Sequence, residues 1–189
     1  DQIDQLDATI QNLISERARC AQHVAEIKKA EGSTDTVFYR PEREAQVLRK
    51  VMERNQGPLD NEEMARLFRE IMSSCLALEQ PVRVAYLGPE GTFTQAAALK
   101  HFGHACVSVP MAAIDEVFRE VEAQSVNYGV VPVENSSEGV VNHTLDCFMG
   151  SSLKIIGEVE LRIHQNLLVA EGTQIKNISR IYSHQQSLA

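Results

Sequence analysis

The stretch Asp1–Glu31, DQIDQLDATIQNLISERARCAQHVAEIKKAE, decides the fold. Apolar residues recur at Ile3, Leu6, Ile10, Leu13, Cys20, Val24 and Ile27, in alternating steps of three and four. That is the seam of a long amphipathic helix built to lie along another helix. One step is missing, because Arg17 stands between Leu13 and Cys20. A guanidinium keeps its charge, and burying it is costly unless something anionic meets it. Lys28 follows about three turns later, roughly 20° round the helix and ~16 Å along its axis. Long side chains leaning inward narrow that span to a small molecule, so the helix reads as one wall of an anion pocket. An Arg in a seam can instead pair with a neighbouring Glu, and a Lys can snorkel.

At 189 residues the chain has room for one or two domains. Its apolar and charged fractions, 43% and 23%, are those of an ordinary soluble globular protein. A net charge of −8 argues against a nucleic-acid footprint, which needs a basic face. Most of the Lys and Arg nevertheless precede Pro81. Cys20, Cys75, Cys106 and Cys147 are far apart, which suggests free thiols in a reducing compartment. No apolar run reaches membrane-spanning length, and the polar, acidic first residues are unlike a signal peptide. A cytoplasmic protein is expected, and the absence of a starting Met suggests that its true beginning lies upstream.

Beyond the first helix, Gly32-Ser33-Thr34 breaks the pattern and Val37-Phe38-Tyr39-Arg40 leads to Pro41, a residue tolerated at a first helical position. A second helix follows through Arg43, Glu44, Val47, Leu48, Val51 and Met52, and Asn55-Gln56-Gly57-Pro58 stops it. Asp60-x-x-Glu63 is a capping signature for a third, with Met64, Leu67, Phe68, Ile71, Met72, Cys75 and Leu78 inward. Its stripe ends on Glu79, an acid closing an apolar face, and Gln80-Pro81 marks a boundary. Three helices in eighty residues make a thin core, and the long seam exceeds what two shorter helices can cover. A second copy is the simplest cover, giving a homodimer through the first helix.

After Pro81 strands alternate with helices, the mark of an α/β layer architecture. Strand Val82–Leu87 precedes loop Gly88-Pro89-Glu90-Gly91-Thr92-Phe93, and Thr94 is placed to cap a helix Gln95–Phe102. A strand at Val107–Val109, a helix Ala112–Ala123, a strand Tyr128–Val133, a loop Glu134–Gly139 and a helix Val140–Phe148 follow. One or two more strands are expected in Ile155–Ala170 and another at Ile178–Tyr182, before the turn Ser183-His184-Gln185-Gln186. Three strand-to-helix turns are rich in hydroxyls and amides: Thr92 with Thr94, Asn135 with Ser136 and Ser137, and Ser183 with His184. Such residues are good caps, but three such turns at strand carboxyl ends suit an anionic ligand. His101 and His104 lack a completing ligand set, so no metal site is expected. Neither a Gly-x-Gly-x-x-Gly nor a phosphate-loop lysine appears, so no cofactor is expected.

Taken together, these residues resemble the bifunctional chorismate mutase/prephenate dehydratase family of bacterial phenylalanine synthesis. Residues 1–80 are similar to the all-helical chorismate mutases. Residues 82–189 are similar to the front of a prephenate dehydratase domain, through Gly88–Phe93, Pro132-Val133-Glu134-Asn135-Ser136 and Ser183-His184-Gln185-Gln186. The resemblance implies a multidomain α and α/β fold. A three-helix domain forming an intertwined dimer would precede a two-lobed, periplasmic-binding-protein-like α/β domain that is incomplete at its C-terminal end. It implies chorismate and prephenate as substrates, with neither nucleic acid nor membrane as partner.

By that resemblance Arg17 grips a substrate carboxylate and Lys28 reaches the breaking ether oxygen. Arg43 and Glu44 hold the other carboxylate and the ring hydroxyl, and Glu79 stands where the family commonly has Gln. Arg40 replaces a frequent Asp and Cys75 a frequent Ser, and a further family arginine falls just before Asp1. Thr92, Thr94, Asn135, Ser136, Ser137, Ser183 and His184 are the implied substrate contacts of the second domain, with Gln185 in place of a common Pro. The family's downstream Thr-Arg-Phe motif is not in the chain, so the second reaction is not expected from it alone. The competing reading is a helical dimerisation arm with a ligand-sensing α/β module. That reading calls for a basic helix-turn-helix, and the sequence offers none.

Overall fold

The computed structural model describes residues 1–30, 39–135 and 139–183. The chain groups into two compact units, Asp1–Val159 and Glu160–Ala189.

The first unit opens with α1 (Gln2–Ala30), α2 (Pro41–Arg54) and α3 (Asn61–Ala77). Pro41 begins α2, where its missing N–H is harmless. At the start of α3 the Glu63 N–H donates to Asp60 Oδ1 at 2.8 Å. The Glu63 carboxylate turns to Arg66 instead of back to the cap, so one half of the capping box forms. Helices α1 and α2 both pack on α3.

On α1 the covered side is not the long apolar seam. Ala25 is buried, and Arg17, Ala18, Ala21 and Lys28 are half-buried. Ile3, Leu6, Ile10 and Leu13 remain 65%, 55%, 53% and 59% exposed. Small alanines let α1 approach α3 closely, while the row of larger side chains faces away from its own chain. By 3.6-residue periodicity Arg17 lies along the line of the exposed row, and Lys28 is about 20° round from it toward the alanines.

The α/β layer consists of β1 (Arg83–Leu87), α4 (Phe93–Phe102), β2 (Val107–Met111), α5 (Ile114–Glu122) and β3 (Tyr128–Val130). The strands run parallel in the order β2-β1-β3, with Val84 opposite Ser108 and Tyr128. Central β1 is buried on both faces, which its unbroken apolar run Val84-Ala85-Tyr86 allows. Val84 packs with Ala98 and Phe102 of α4, and Ala85 packs on the other face with Val117 of α5 and Val126. Next come the two-residue strands β4 (Glu134–Asn135) and β5 (Gly139–Val140), antiparallel, and α6 (Asn142–Gly150). Buried Thr144 of α6 donates to the Pro132 carbonyl at 2.6 Å, and Phe148 packs edge-on against Phe118 at 4.9 Å.

Helices and sheet share one core across the expected boundary. Tyr39 belongs to the Val84–Ala98–Phe102 cluster, with Leu76 of α3 against it. Its ring centroid lies 5.4 Å from Phe102 and 5.3 Å from Tyr128. Gly103, at φ +78°, ends α4 so close to α3 that a Cβ there would run into Ser73. Beside it Glu70 accepts the His104 N–H at 3.1 Å and meets His104 Nδ1 at 2.8 Å.

Several expected elements differ. Thr92, not Thr94, caps α4: its hydroxyl accepts the Gln95 N–H at 3.4 Å, and Thr94 stands inside the first turn. The loop predicted at Glu134–Gly139 carries the β4–β5 ladder. Among the described residues, no strand forms in 155–170 or 178–182, and Glu160–Ala189 contains one 3-10 turn, Ile175–Asn177. A strand is held by its neighbour's ladder rather than by its own alternation, and these segments have no such neighbour within their unit. Ile155 and Leu168 are accordingly 71% and 90% exposed.

Candidate functional site

The residues proposed to grip a dianion are spread over the three helices. On α1, half-buried Arg17 makes no ion pair among the described residues, and Lys28 is half-buried three turns further on. On α2, Arg43 is exposed, and Arg40 is the exposed residue ahead of Pro41 with no side-chain cap bond. On α3, Cys75 is buried. Glu79 lies in the turn just past the helix, where its N–H donates to the Leu76 carbonyl at 2.9 Å. The sequence placed it near the helix end, and the helix stops just before it, at Ala77.

Glu44 is the best-defined member. Its side chain is 17% exposed, and Arg69 Nε of α3 approaches its Oε1 at 3.4 Å. The Tyr39 side chain lies near the same carboxylate. Burial pushes the Glu44 pKa up, while the Arg69 charge and hydrogen bond, and then the neighbouring Tyr39 hydroxyl, pull it back. Tyr39 is pushed far up by burial and by the neighbouring Glu44 charge, so it stays a neutral donor. Burial, and then the Arg69 charge, hold the nearby His101 below the usual imidazole value.

Neither Tyr39 nor Arg69 was singled out by sequence. Arg69 sits one residue off the α3 stripe and looks like surface, and Tyr39 reads as a loop aromatic. Only their meeting with Glu44 in space marks them.

A shallow cleft of about 210 Å³, open to solvent, lies where α3 meets the sheet, lined by Tyr39, Leu76, Val82, Phe102 and Cys106 among others. It is smaller than pockets that bury ligands of ordinary size, and it contains none of the cations on α1 or α2.

A second set of residues stands at the carboxyl ends of adjacent strands β1 and β3, the edge where open parallel sheets take ligands. After β1, Thr92 Oγ1 donates to the Leu87 carbonyl at 3.1 Å, and the Gly91 N–H donates to Gln95 Oε1 at 2.6 Å. The Thr92 hydroxyl therefore holds the loop as well as the cap, and half-buried Thr94 is the hydroxyl one step further along. After β3, half-buried Asn135 pairs in register with Gly139. Ser136, Ser137 and His184 lie outside the described residues, and Ser183 is exposed in the second unit. Among the described residues no three His, Cys, Asp or Glu gather as a metal site. No helix there is long and apolar enough to cross a membrane.

The fold and its residues define a helical, cation-bearing region joined to a parallel α/β layer with hydroxyl-rich strand exits. Residues 84–189 match the family described as prephenate dehydratase, and residues 1–80 match the one described as chorismate mutase type II. The chain belongs to the prephenate dehydratase family, with a chorismate mutase type II region ahead of the sheet.

It is 72% identical over 189 residues to the bifunctional chorismate mutase/prephenate dehydratase of Stutzerimonas stutzeri, covering 99% of this chain and 52% of that one. The like-named protein of Pseudomonas aeruginosa is 71% identical over 190 residues, again 99% of this chain and 52% of its own. That of Escherichia coli is 30% identical over 208 residues. The chain spans about half the length of these relatives.

Proposed function

We propose that this chain is part of a bifunctional enzyme of phenylalanine synthesis. Residues 1–80 rearrange chorismate to prephenate. Residues 82–189 form the substrate-binding front of a domain that, in the whole protein, converts prephenate to phenylpyruvate with loss of water and carbon dioxide. The observation that carries the reading is the match of residues 1–80 to chorismate mutase type II, with Arg17 half-buried and lacking an acidic partner among the described residues.

The rearrangement is pericyclic and needs neither nucleophile nor proton transfer. A protein assists it by holding the compact conformer and by placing positive charge where negative charge grows at the ether oxygen. Arg17 and Arg43 take the two carboxylates, Lys28 faces the ether oxygen and Glu44 accepts the ring hydroxyl. Arg40 and Cys75 border the substrate. Glu79, also at the ether oxygen, must be protonated to donate. In the second domain Thr92, Thr94, Asn135, Ser136 and Ser137 contact substrate, and Ser183 and His184 are the family's further binding residues.

The enzyme works as a homodimer through α1, whose exposed row Ile3, Leu6, Ile10 and Leu13 supports this. Arg17 then stands in line with the covered row, and Lys28 slightly round from it toward the side of α3. The free thiols Cys20, Cys75, Cys106 and Cys147 suit the cytoplasm. The test is calorimetric titration with a stable bicyclic dicarboxylate that mimics the rearranging transition state. Saturable binding that weakens by about 3–4 kcal/mol in Arg17→Ala is expected, on the order of 10²–10³ in affinity. Absence of binding, or equal binding by the variant, overturns the mutase reading.

A further inference from the structure

Glu44 belongs to α2, but what fixes it comes from elsewhere. Arg69 reaches it from α3, and Tyr39 reaches it from the segment ahead of α2. The two approach a carboxylate that burial alone would drive toward its neutral form. An ionised carboxylate offers lone pairs to a substrate hydroxyl, whereas a protonated one spends an oxygen as a donor. Losing either partner therefore changes both where the group points and its charge.

Tyr39 has a second attachment. Only 8% of it is exposed, and its ring lies against both Phe102 of α4 and Tyr128 of β3. Phe102 and Tyr128 stack on each other at 5.3 Å, so the three rings form one packed group. One end of the Tyr39 side chain is thus held by the sheet domain's core, and the other points at a helical-domain carboxylate.

We propose that Arg69 and Tyr39 are positioning residues that hold Glu44 in one ionised orientation for the substrate's ring hydroxyl, and that Tyr39 ties this orientation to the Phe102–Tyr128 pair of the α/β core. The inference rests on the mutase reading and adds to it a mechanical link between the two domains. The groups facing Glu44 are Tyr39 and Arg69. Behind them stand His101, close to Arg69, and Tyr128, itself near Glu42.

The test uses the full chain, with Tyr39→Phe, Arg69→Gln and Phe102→Leu measured beside Phe118→Leu. The last removes ring packing from the opposite face of the sheet. Two readouts are taken: the pH dependence of kcat/KM with chorismate, and the Glu44 carboxyl titration followed by carbon-13 NMR. Tyr39→Phe and Arg69→Gln are expected to move the acid limb and the Glu44 midpoint upward by about half to one pH unit. Phe102→Leu moves them the same way, Phe118→Leu leaves them in place, and Arg69→Lys restores part of the shift. A Glu44 midpoint and acid limb unmoved in both Tyr39→Phe and Arg69→Gln, with turnover intact, overturns the proposal alone. Absence of chorismate turnover in the parent chain overturns the mutase reading itself, and the catalytic purpose of the pair with it.

Discussion

Two carboxylates of the proposed mutase site carry opposite requirements. Glu44 must be ionised to accept a hydroxyl, and the structure supplies it with a guanidinium and a phenol. Glu79 is needed neutral, because a negative charge beside the breaking ether oxygen opposes the charge that develops there. Groups set apart in this way give a bell-shaped rate profile, its limbs reporting one acid each. Mutase activity is therefore expected to rise as pH falls from neutrality, until Glu44 protonates. Glu79→Gln donates at every pH and should flatten the alkaline limb, leaving the acid limb in place. Stopped assays of prephenate formation across the pH range check this, and an unchanged alkaline limb in the variant removes Glu79 from the role. Arg17 and Lys28 were legible as anomalies in a sequence pattern, because a cation in an apolar row is visible from spacing alone. Arg69 was not, because its meaning depends on a residue twenty-five positions away.

At the scale of elements, the three helices, the β1–α4–β2–α5–β3 order and the break before the sheet were all legible. Each rests on local periodicity, caps and breakers. The strands expected after residue 155 were not safely legible, since alternation states a preference and a ladder needs a partner. The contact between α3 and the end of α4 was also invisible in sequence, and it carries a testable charge effect. Burial of Glu70 raises its pKa, but the two hydrogen bonds from His104 outweigh this, and the carboxylate sits below its ordinary value. A carboxylate depressed on folding binds fewer protons than in the unfolded chain, so it adds stability at higher pH. Its contribution is in place above the unfolded pKa of about 4.3 and is lost as pH falls through the lower folded value. Because the pair is part-exposed, the effect is expected at about 1 kcal/mol or less. Denaturant melts of Glu70→Gln should show a loss of stability at pH 7 that narrows toward pH 3. A loss independent of pH would assign the contact to packing at Gly103 and Ser73 instead of charge.

At the scale of the whole molecule, the question is what covers α1. The helix turns its alanines to α3 and leaves Ile3, Leu6, Ile10 and Leu13 more than half exposed along about three turns. A row of that length has a self-complementary solution, two helices meeting about a two-fold axis, which buries the same face twice. At about 25 cal/mol per Å² of apolar surface, covering four such side chains on each copy offsets much of the cost of association. The same arrangement closes the open side of Arg17 and Lys28, so assembly and rearrangement chemistry should fail together. Leu6→Asp with Ile10→Asp places two carboxylates in each half of that interface. Analytical ultracentrifugation should then find a monomer where the parent chain sediments as a dimer, and chorismate turnover should fall at least a hundredfold. The tertiary fold of the sheet, read by near-ultraviolet circular dichroism from Tyr39, Phe102 and Tyr128, should persist. A variant that stays dimeric, or a monomer that still turns over chorismate at the parent rate, would separate the site from the α1 row.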